Sequence, residues 1–293
     1  MISYGASHRL KFAAIALVCA GGVPTAQAQS ASAWEGELHA AARLISGGAL
    51  DSGGANLLRA GLEIRLDPGW KTYWRYPGDS GVPPTLDFSG SQNVKSVTAL
   101  WPAPILFADG AGGRSIGYLN DVVLPLRIVP KDAAKASSLR VKLGYAICGN
   151  LCVPAEANLH LTLSRKAGAD EPQLVAAEAR VPRRVPLGPV SGANDGLAVR
   201  SVHRETAGAH QRVVVEVTSP KGTPVDLFVE GPSADWALPL PEPQGVAPDN
   251  AAGLRRFTFD LDGLPPGAVA KDAALTFTVV SPTDAIEVQA RLD

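Results

Sequence analysis

Residues 139–163, L-R-V-K-L-G-Y-A-I-C-G-N-L-C-V-P-A-E-A-N-L-H-L-T-L, place two cysteines between two segments of alternating polarity. Before the cysteines, Leu139 to Tyr145 has apolar side chains at every second position, and after them Asn158 to Leu163 repeats the pattern. Strict alternation is typical of a β-strand with one buried face. The stretch therefore predicts two strands, with Cys148 and Cys152 in the connection between them.

The rest of the first half continues this pattern of strands and turns. Leu57 to Leu66 alternates apolar and charged residues, and Val122 to Val129 is an apolar strand in which Pro125 suggests a sheet edge or a bulge. With 30 Gly and 24 Pro in the chain, turn-forming residues are frequent and favour short strands over long helices. We assign residues 29–165 to a first β-sandwich.

The second half has the same character after a break at residues 166–195. In that break, Pro172 to Arg180 can form one short helix, and Val181 to Pro189 is a proline-rich extended linker. Strand candidates then alternate with turn signals at sandwich-like spacing. They are Val213 to Val217, Val225 to Val229, Arg256 to Leu261, Leu275 to Val280 and Ile286 to Leu292. The sequence thus predicts an all-β protein with two immunoglobulin-like antiparallel β-sandwich domains, the second at residues 196–293.

The composition excludes several classes of protein. The chain of 293 residues carries 27 basic and 28 acidic side chains, so it lacks the basic excess that a nucleic-acid-binding protein needs. Three cysteines and one methionine are too few for a disulfide-dense scaffold or a cysteine-rich zinc or iron–sulfur protein. A hydrophobic share of 46% is enough for a folded core.

The N-terminus has the three parts of a secretory signal peptide. These are a basic start at residues 8–11, the apolar run Phe12 to Val18, and the small-residue site Ala26-Gln27-Ala28. The apolar run is too short to span a bilayer, which needs roughly 20 residues. We expect residues 1–28, including Cys19, to be removed on export to the bacterial periplasm. The two remaining cysteines then lie in a compartment where disulfides persist, and the mature chain has no expected transmembrane segment.

Two further patterns suggest chemistry that their surroundings do not support. Gly78-Asp79-Ser80-Gly81 spells the motif around the nucleophile of chymotrypsin-like proteases, but the only mature histidine before it is His39, in no matching context. The neighbouring prolines and glycines favour a turn-rich loop. Cys148, Cys152 and His160 could hold one Cu(I) ion, although methionine sulfur is absent from the mature chain. Copper binding is kept as an alternative function of this chain.

The spacing Cys148-Gly149-Asn150-Leu151-Cys152 permits a disulfide across a tight turn. Closing so short a loop removes only about 2 kcal/mol of denatured-state entropy, whereas a bridge closing roughly 60 residues removes about 4 kcal/mol. The pair is therefore a weak staple and is better suited to reversible thiol–disulfide exchange through a mixed disulfide. Spacing alone leaves both interpretations open.

The surroundings of the pair resemble a known family. Tyr145 to Glu156 is similar to the strand–Cys–turn–Cys–x-Pro–x-Glu segment of the periplasmic N-terminal domain of the thiol:disulfide interchange protein DsbD, and is closer to the related copper-sensitivity suppressor ScsB group. Three further segments match in order: Asp67 to Arg75, Trp101 to Pro104 with Gly117-Tyr118, and Val122 to Ile128. The resemblance covers residues 34–165, and the second half only as the companion β domain of ScsB-like proteins.

The resemblance implies an activity and roles for single residues. In the family, an immunoglobulin-like domain receives electrons from a membrane-embedded partner and passes them to periplasmic thioredoxin-fold proteins. Cys152 would form the mixed disulfide and Cys148 would resolve it, with no organic or metal cofactor. The family's cap loop corresponds to Ile105 to Ser115, in which Phe107 is the aromatic residue, and Tyr73 matches an aromatic position near the site.

Two departures from the family bear on this interpretation. The C-x-x-x-C spacing is shorter than in DsbD and suits the ScsB-like branch. The chain ends at Asp293 without the transmembrane segments or the thioredoxin-like domain, so the expected electron donor is a separate membrane protein. The hypothesis is a periplasmic oxidoreductase of the thiol:disulfide interchange type. The alternative is a non-catalytic β-sandwich binding module with a structural disulfide.

Overall fold

A computed structural model describes residues 1–2, 30–36, 38–52, 55–108, 112–188, 196–207, 210–244 and 253–293. This part of the chain folds into β-strands arranged in four sheets, with one helix, so the all-β prediction is confirmed. The predicted signal peptide lies outside the described residues except for Met1 and Ile2. No helix of the described ranges is long and apolar enough to cross a membrane.

The strands of the first half are β1 Ala40–Ser52, β2 Ala55–Leu66, β3 Lys71–Gly78, β4 Thr85–Asp87, β5 Val94–Ala99, β6 Ile105–Ala108, β7 Arg114–Leu119, β8 Val122–Pro130, β9 Ser138–Cys148 and β10 Cys152–Thr162. Helix α1, Glu171–Ala179, follows. The second half has β11 Arg183–Arg184, β12 Ala198–Ala207, β13 His210–Thr218, β14 Asp226–Glu230, β15 Glu242–Gln244, β16 Leu254–Asp260, β17 Ala274–Val280 and β18 Ala285–Arg291.

The first half consists of two sheets that share one core. One sheet has the order β1-β2-β8-β5, and the other has the order β10-β9-β3-β7-β6, with β4 beside β9. In β9, Leu139, Val141 and Leu143 are buried while the residues between them are more exposed, as the alternation predicts. Fully burying each such side chain contributes roughly 1.5–3 kcal/mol. This packing fixes β9 and β10 as one hairpin in the second sheet.

The second half has its own core between two four-stranded sheets. Their orders are β11-β18-β17-β14 and β12-β13-β16-β15, and Phe257, Phe277 and Val215 are among the residues buried between them. Of the pairings in the described chain, β11 with β18 is parallel, whereas the others are antiparallel. The proline-rich linker thus contributes a short strand at Arg183–Arg184 where the sequence predicted only an extended segment.

The predicted helix forms, and it packs on the first half. Leu174 and Ala177 are buried against β1 and β8. Arg59 donates to the Glu178 carboxylate through Nε at 2.9 Å and Nη2 at 2.7 Å, and Arg127 donates to the same carboxylate at 2.5 Å. Burial disfavours the ionised form of Glu178, but these hydrogen bonds outweigh it and hold its pKa below the ordinary value.

Pro125 lies in an interior strand, so the predicted sheet edge or bulge there is wrong. β8 runs between β2 and β5, and its register with β2 is unbroken. The Pro125 carbonyl accepts from the Leu100 N–H at 2.8 Å, just beyond Ala99, the last residue of β5. Because both backbone groups of a strand residue face the same side, the missing N–H of proline falls where β5 has already ended, and no ladder hydrogen bond is lost.

Strand β3 also joins the two halves. Arg75 Nη2 lies 2.7 Å from a carboxylate oxygen of Glu230 and 2.7 Å from one of Glu287. The ring of Trp74 packs against Phe228, with centroids 5.9 Å apart. Phe228 is buried in the core of the first half, so the second half completes that core.

Candidate functional site

The cysteine pair closes the end of the β9–β10 hairpin. Cys148 is the last residue of β9, Cys152 is the first of β10, and the two lie opposite each other with Cα atoms 4.1 Å apart. Their sulfurs form a disulfide with an S–S distance of 2.03 Å. In the turn, Gly149 packs so closely on Trp70 that an added Cβ would lie 3.0 Å from the indole. The hairpin therefore presents the disulfide at its tip.

The two cysteines differ in exposure. Cys148 is 5% exposed and packs with Tyr73, Ala146 and Phe107, whereas Cys152 is an exposed residue. Thiol–disulfide exchange requires a thiolate to reach one particular sulfur. The structure gives that access at Cys152 and shields Cys148 behind it.

The hydroxyl of Tyr73 contacts both sulfurs. Its oxygen lies 2.9 Å from Cys148 Sγ and 3.4 Å from Cys152 Sγ, and the side chain is buried. Gly81 lies against the tyrosine ring, where an added Cβ would be 2.4 Å from a ring carbon, and its φ of +125° also favours glycine. The protease-like Gly78-Asp79-Ser80-Gly81 segment thus has a packing role beside the disulfide.

Phe107 packs against the cluster formed by Tyr73, Ala146 and Cys148, on the buried side of the disulfide. It belongs to β6, and its ring centroid is 6.4 Å from that of Tyr73. Lys71 Nζ lies 4.7 Å from the Phe107 ring centroid and donates to the Ala108 carbonyl at 3.2 Å. The predicted cap loop Ile105 to Ser115 is in fact made largely of β6 and the start of β7, and residues 109–111 lie outside the described ranges.

Two small pockets of about 360 Å³ each flank the disulfide. The first lies between Phe107, Val82 and the cysteines, and the second extends along β10 past Pro154. A larger groove of about 1260 Å³ borders the other side of the hairpin. The disulfide thus lies between two surface pockets and the groove.

The structure does not bring the copper candidates together. His160 lies eight residues beyond Cys152 in the same strand, which at roughly 3.3 Å per residue is about 26 Å. Among the described residues, no group of three His, Cys, Asp or Glu side chains could hold a metal ion. The proposed Cu(I) site of Cys148, Cys152 and His160 is therefore wrong.

Sequence reasoning missed two neighbours of the disulfide, Lys71 and Gly81. The position of Lys71 could have been predicted from the sequence, because a residue two positions before Tyr73 in the same strand lies on the same face of the sheet. Gly81 had none, because its contact with Tyr73 depends on how a loop folds back over β3.

Comparisons with known proteins agree with this geometry. The family described as thiol:disulfide interchange protein DsbD, N-terminal, matches residues 50–164. The crystal structure of the N-terminal periplasmic domain of ScsB from Proteus mirabilis is similar, with a TM-score of 0.67 and 24% identity over 90% of this chain and 98% of that chain. A marsupial T cell receptor aligns over 87% of this chain and 97% of that chain at 9% identity, with a TM-score of 0.19, which is too low to indicate a shared fold. The curated proteins gave no match.

The family match contains the whole candidate site. Residues 50–164 include β3 with Tyr73, β6 with Phe107, and both cysteines of the hairpin. The likeness to ScsB extends over the second half as well and shows that the two-sandwich fold is shared. The resemblance identified from the sequence is thereby confirmed. Residues 50–164 of this chain thus match the family described as thiol:disulfide interchange protein DsbD, N-terminal.

Proposed function

We propose that this chain is a periplasmic thiol–disulfide exchange protein that passes reducing equivalents from a separate membrane electron donor to thioredoxin-fold partners. The match of residues 50–164 to the DsbD N-terminal family supports the exchange chemistry, and the likeness to a periplasmic domain supports the location. One observation carries the proposal: Cys152 is exposed, while Cys148 is buried with the Tyr73 hydroxyl against its sulfur.

Reduction of the chain begins at the exposed sulfur. A donor thiolate attacks Cys152 Sγ, a new S–S bond forms between them, and the Cys148–Cys152 bond breaks with its electron pair on Cys148 Sγ. The Tyr73 hydroxyl, 2.9 Å away, donates a hydrogen bond to the departing thiolate. The donor's second thiolate then attacks the donor sulfur of the mixed disulfide and releases Cys152. The donor dithiol becomes a disulfide, and the chain gains two electrons.

Delivery reverses these roles. The Cys152 thiolate attacks the disulfide of a partner, and one partner sulfur leaves as a thiolate. Cys148, held opposite Cys152 by the hairpin register, then attacks Cys152 Sγ, restores the disulfide and releases the partner's second sulfur. Because the resolving step is intramolecular and preorganised, the mixed disulfide is short-lived.

Trapping the mixed disulfide tests these roles. Cys148→Ala removes the resolving thiol, so it should accumulate a mixed disulfide with a thioredoxin-fold partner through Cys152, detected by mass spectrometry and on non-reducing gels. Cys152→Ala is the matched variant and should accumulate none. If Cys152→Ala traps the partner and Cys148→Ala does not, the assignment of roles is wrong.

A redox titration separates exchange from a structural bond. Structural disulfides of exported proteins have reduction potentials below about −300 mV. A potential above that value supports exchange with cellular thiols. A potential well below it would support the alternative, a binding module with an inert disulfide, and exclude the exchange function.

A further inference from the structure

The outer edge of β10 begins at the exposed cysteine. β10 is the last strand of its sheet, and β9 is its one strand neighbour in the described chain. At Asn158 the edge is closed, because that N–H donates to the Glu35 carboxylate at 2.9 Å. Between Cys152 and Glu156, no hydrogen bond from the described residues reaches the outer edge. The open edge is therefore a five-residue segment that starts at the reactive sulfur.

The strand register shows which backbone groups face outward. Gly149 N–H donates to the Leu151 carbonyl at 3.1 Å, and the Asn158 N–H points away from β9. In an antiparallel pair, bonded and non-bonded positions alternate, so the odd-numbered residues of β10 bond to β9 and the even-numbered ones face outward. The outward groups are the N–H of Cys152 and Glu156 and the carbonyls of Cys152, Pro154 and Glu156.

An antiparallel strand added at this edge would place a cysteine where exchange needs it. A residue bonded to both the N–H and the carbonyl of Cys152 has its Cα about 5.5 Å from that of Cys152. A disulfide requires roughly 4.4–6.8 Å. Cys148 faces Cys152 from the opposite side, with the Cα atoms 4.1 Å apart. Three cysteines would then follow one another across three strands, in the order of attacking, attacked and leaving sulfur.

The groove beside the edge suits the neighbours of such a cysteine. Its volume is about 1260 Å³, and its lining combines the apolar side chains of Leu38, Trp70, Leu151 and Val153 with charged ones that include Glu35 and Glu156. Leu38 and Leu151 are 79% and 76% exposed. In an added strand, the residues on either side of the cysteine point to the opposite face of the sheet from it, which is the face of Val153. Apolar side chains at those two positions would cover this exposed surface.

We propose that the redox partner presents its cysteine on an extended segment with apolar neighbours, and that this segment adds as an antiparallel strand to the β10 edge at Cys152 to Glu156. The inference rests on the proposed exchange function and specifies how that site recognises a partner. Backbone hydrogen bonds supply the affinity, and the groove supplies the preference for apolar neighbours. This partner is favoured because the open edge begins at Cys152, so a strand that binds there brings its own cysteine to the exposed sulfur.

Model peptides test the proposal on the unaltered protein. The probe is an acetylated peptide with one cysteine, a valine on each side of it and four residues before it, so that it spans the edge from Cys152 to Glu156. The readout is its rate of reaction with the Cys148–Cys152 disulfide. N-methylation of the second residue before the cysteine removes the N–H that would donate to the Pro154 carbonyl. N-methylation of the first residue before it removes an N–H that faces away and is the matched control. One lost hydrogen bond should slow the reaction about 3- to 10-fold relative to the control.

A pair of variants tests the same edge from the protein side. Both Glu156→Pro and Glu156→Ala lack the carboxylate, but only the proline variant also lacks the backbone N–H. Because the N–H of residue 156 faces outward, its loss removes no hydrogen bond to β9. Each variant's rate with the peptide is divided by its rate with dithiothreitol. This ratio should be about 3- to 10-fold lower for Glu156→Pro than for Glu156→Ala.

The outcomes distinguish this inference from the proposed function. Slower reaction of the peptide methylated at the edge-facing residue supports strand addition, whatever the folding of the variants. Equal rates for the two methylated peptides, while both still react, overturn strand addition and leave the exchange function standing. Failure of the disulfide to react with either dithiothreitol or the peptides overturns both.

Discussion

Replacing Tyr73 with Phe removes one hydroxyl from the site and should lower the reduction potential of the Cys148–Cys152 pair. The aromatic ring, with its contacts to Gly81 and Phe107, remains. The hydroxyl lies 2.9 Å from Cys148 Sγ, where it can donate to a thiolate. It therefore stabilises the reduced pair more than the disulfide, whose sulfurs are neutral and weak acceptors.

The size of the shift follows from the charge on the acceptor. A hydrogen bond to a charged group contributes about 1.5–3 kcal/mol. For a two-electron couple, 1.4 kcal/mol corresponds to about 30 mV. Tyr73→Phe should therefore move the potential about 30–65 mV toward more negative values. Equilibration in glutathione buffers, followed by alkylation of free thiols and mass spectrometry, measures this shift.

Tyr145→Phe is the control for the loss of a buried hydroxyl. The Tyr145 hydroxyl is buried and has no hydrogen-bond partner in the described part of the chain, so its removal should leave the potential near that of the unaltered protein. If Tyr73→Phe also leaves the potential unchanged, or raises it, the hydroxyl does not stabilise the Cys148 thiolate. The mechanism above would then need another group to receive the leaving sulfur.

Three further predictions concern the cap, the loop beside it and the helix. Phe107→Ala uncovers Cys148 and should speed reduction by dithiothreitol about 2- to 10-fold, given the strength of an aromatic contact; an unchanged rate would show that Phe107 gives no cover. Gly81→Ala should destabilise the fold by about 1–3 kcal/mol more than Gly69→Ala in urea unfolding, because both glycines have positive φ but only Gly81 meets a side chain. The pKa of Glu178 is lowered in the fold, so the stability that this residue contributes is present above its unfolded pKa near 4.5 and is lost as the pH falls further. Glu178→Gln should therefore reduce the fall in the free energy of unfolding below that pH. An equally steep fall in the variant would show that other groups cause it.

The hairpin could be predicted from the sequence because its signals are local. The alternation on both sides of the cysteines depends only on the neighbours of each residue, and it located the two strands. Their ends were misplaced, because β9 extends to Cys148 and β10 begins at Cys152, so the cysteines are strand residues and not part of the connection. The resemblance added Tyr73 and Phe107, and the structure places both beside the disulfide. What these side chains do in exchange remains a prediction.

Other features depend on residues far apart in the chain, and local patterns did not reveal them. The position of Pro125 was misjudged because the order of strands in a sheet is not encoded in one strand. The helix was located, but its two hydrogen-bonded arginines come from strands more than fifty residues distant in sequence. The open edge of β10 likewise becomes visible only when the sheet order is known.

Strand β3 has a consequence for how the protein can be divided. The strand bears Tyr73 on the disulfide side, and the next two residues, Trp74 and Arg75, engage Phe228 and two carboxylates of the second half. A fragment cut at residue 164 would keep every residue of the exchange site and yet expose the indole of Trp74 and leave a guanidinium without its counter-ions. The segment that matches the family thus contains the disulfide and its neighbours, but it lacks residues of the second half that complete its core and pair with Arg75.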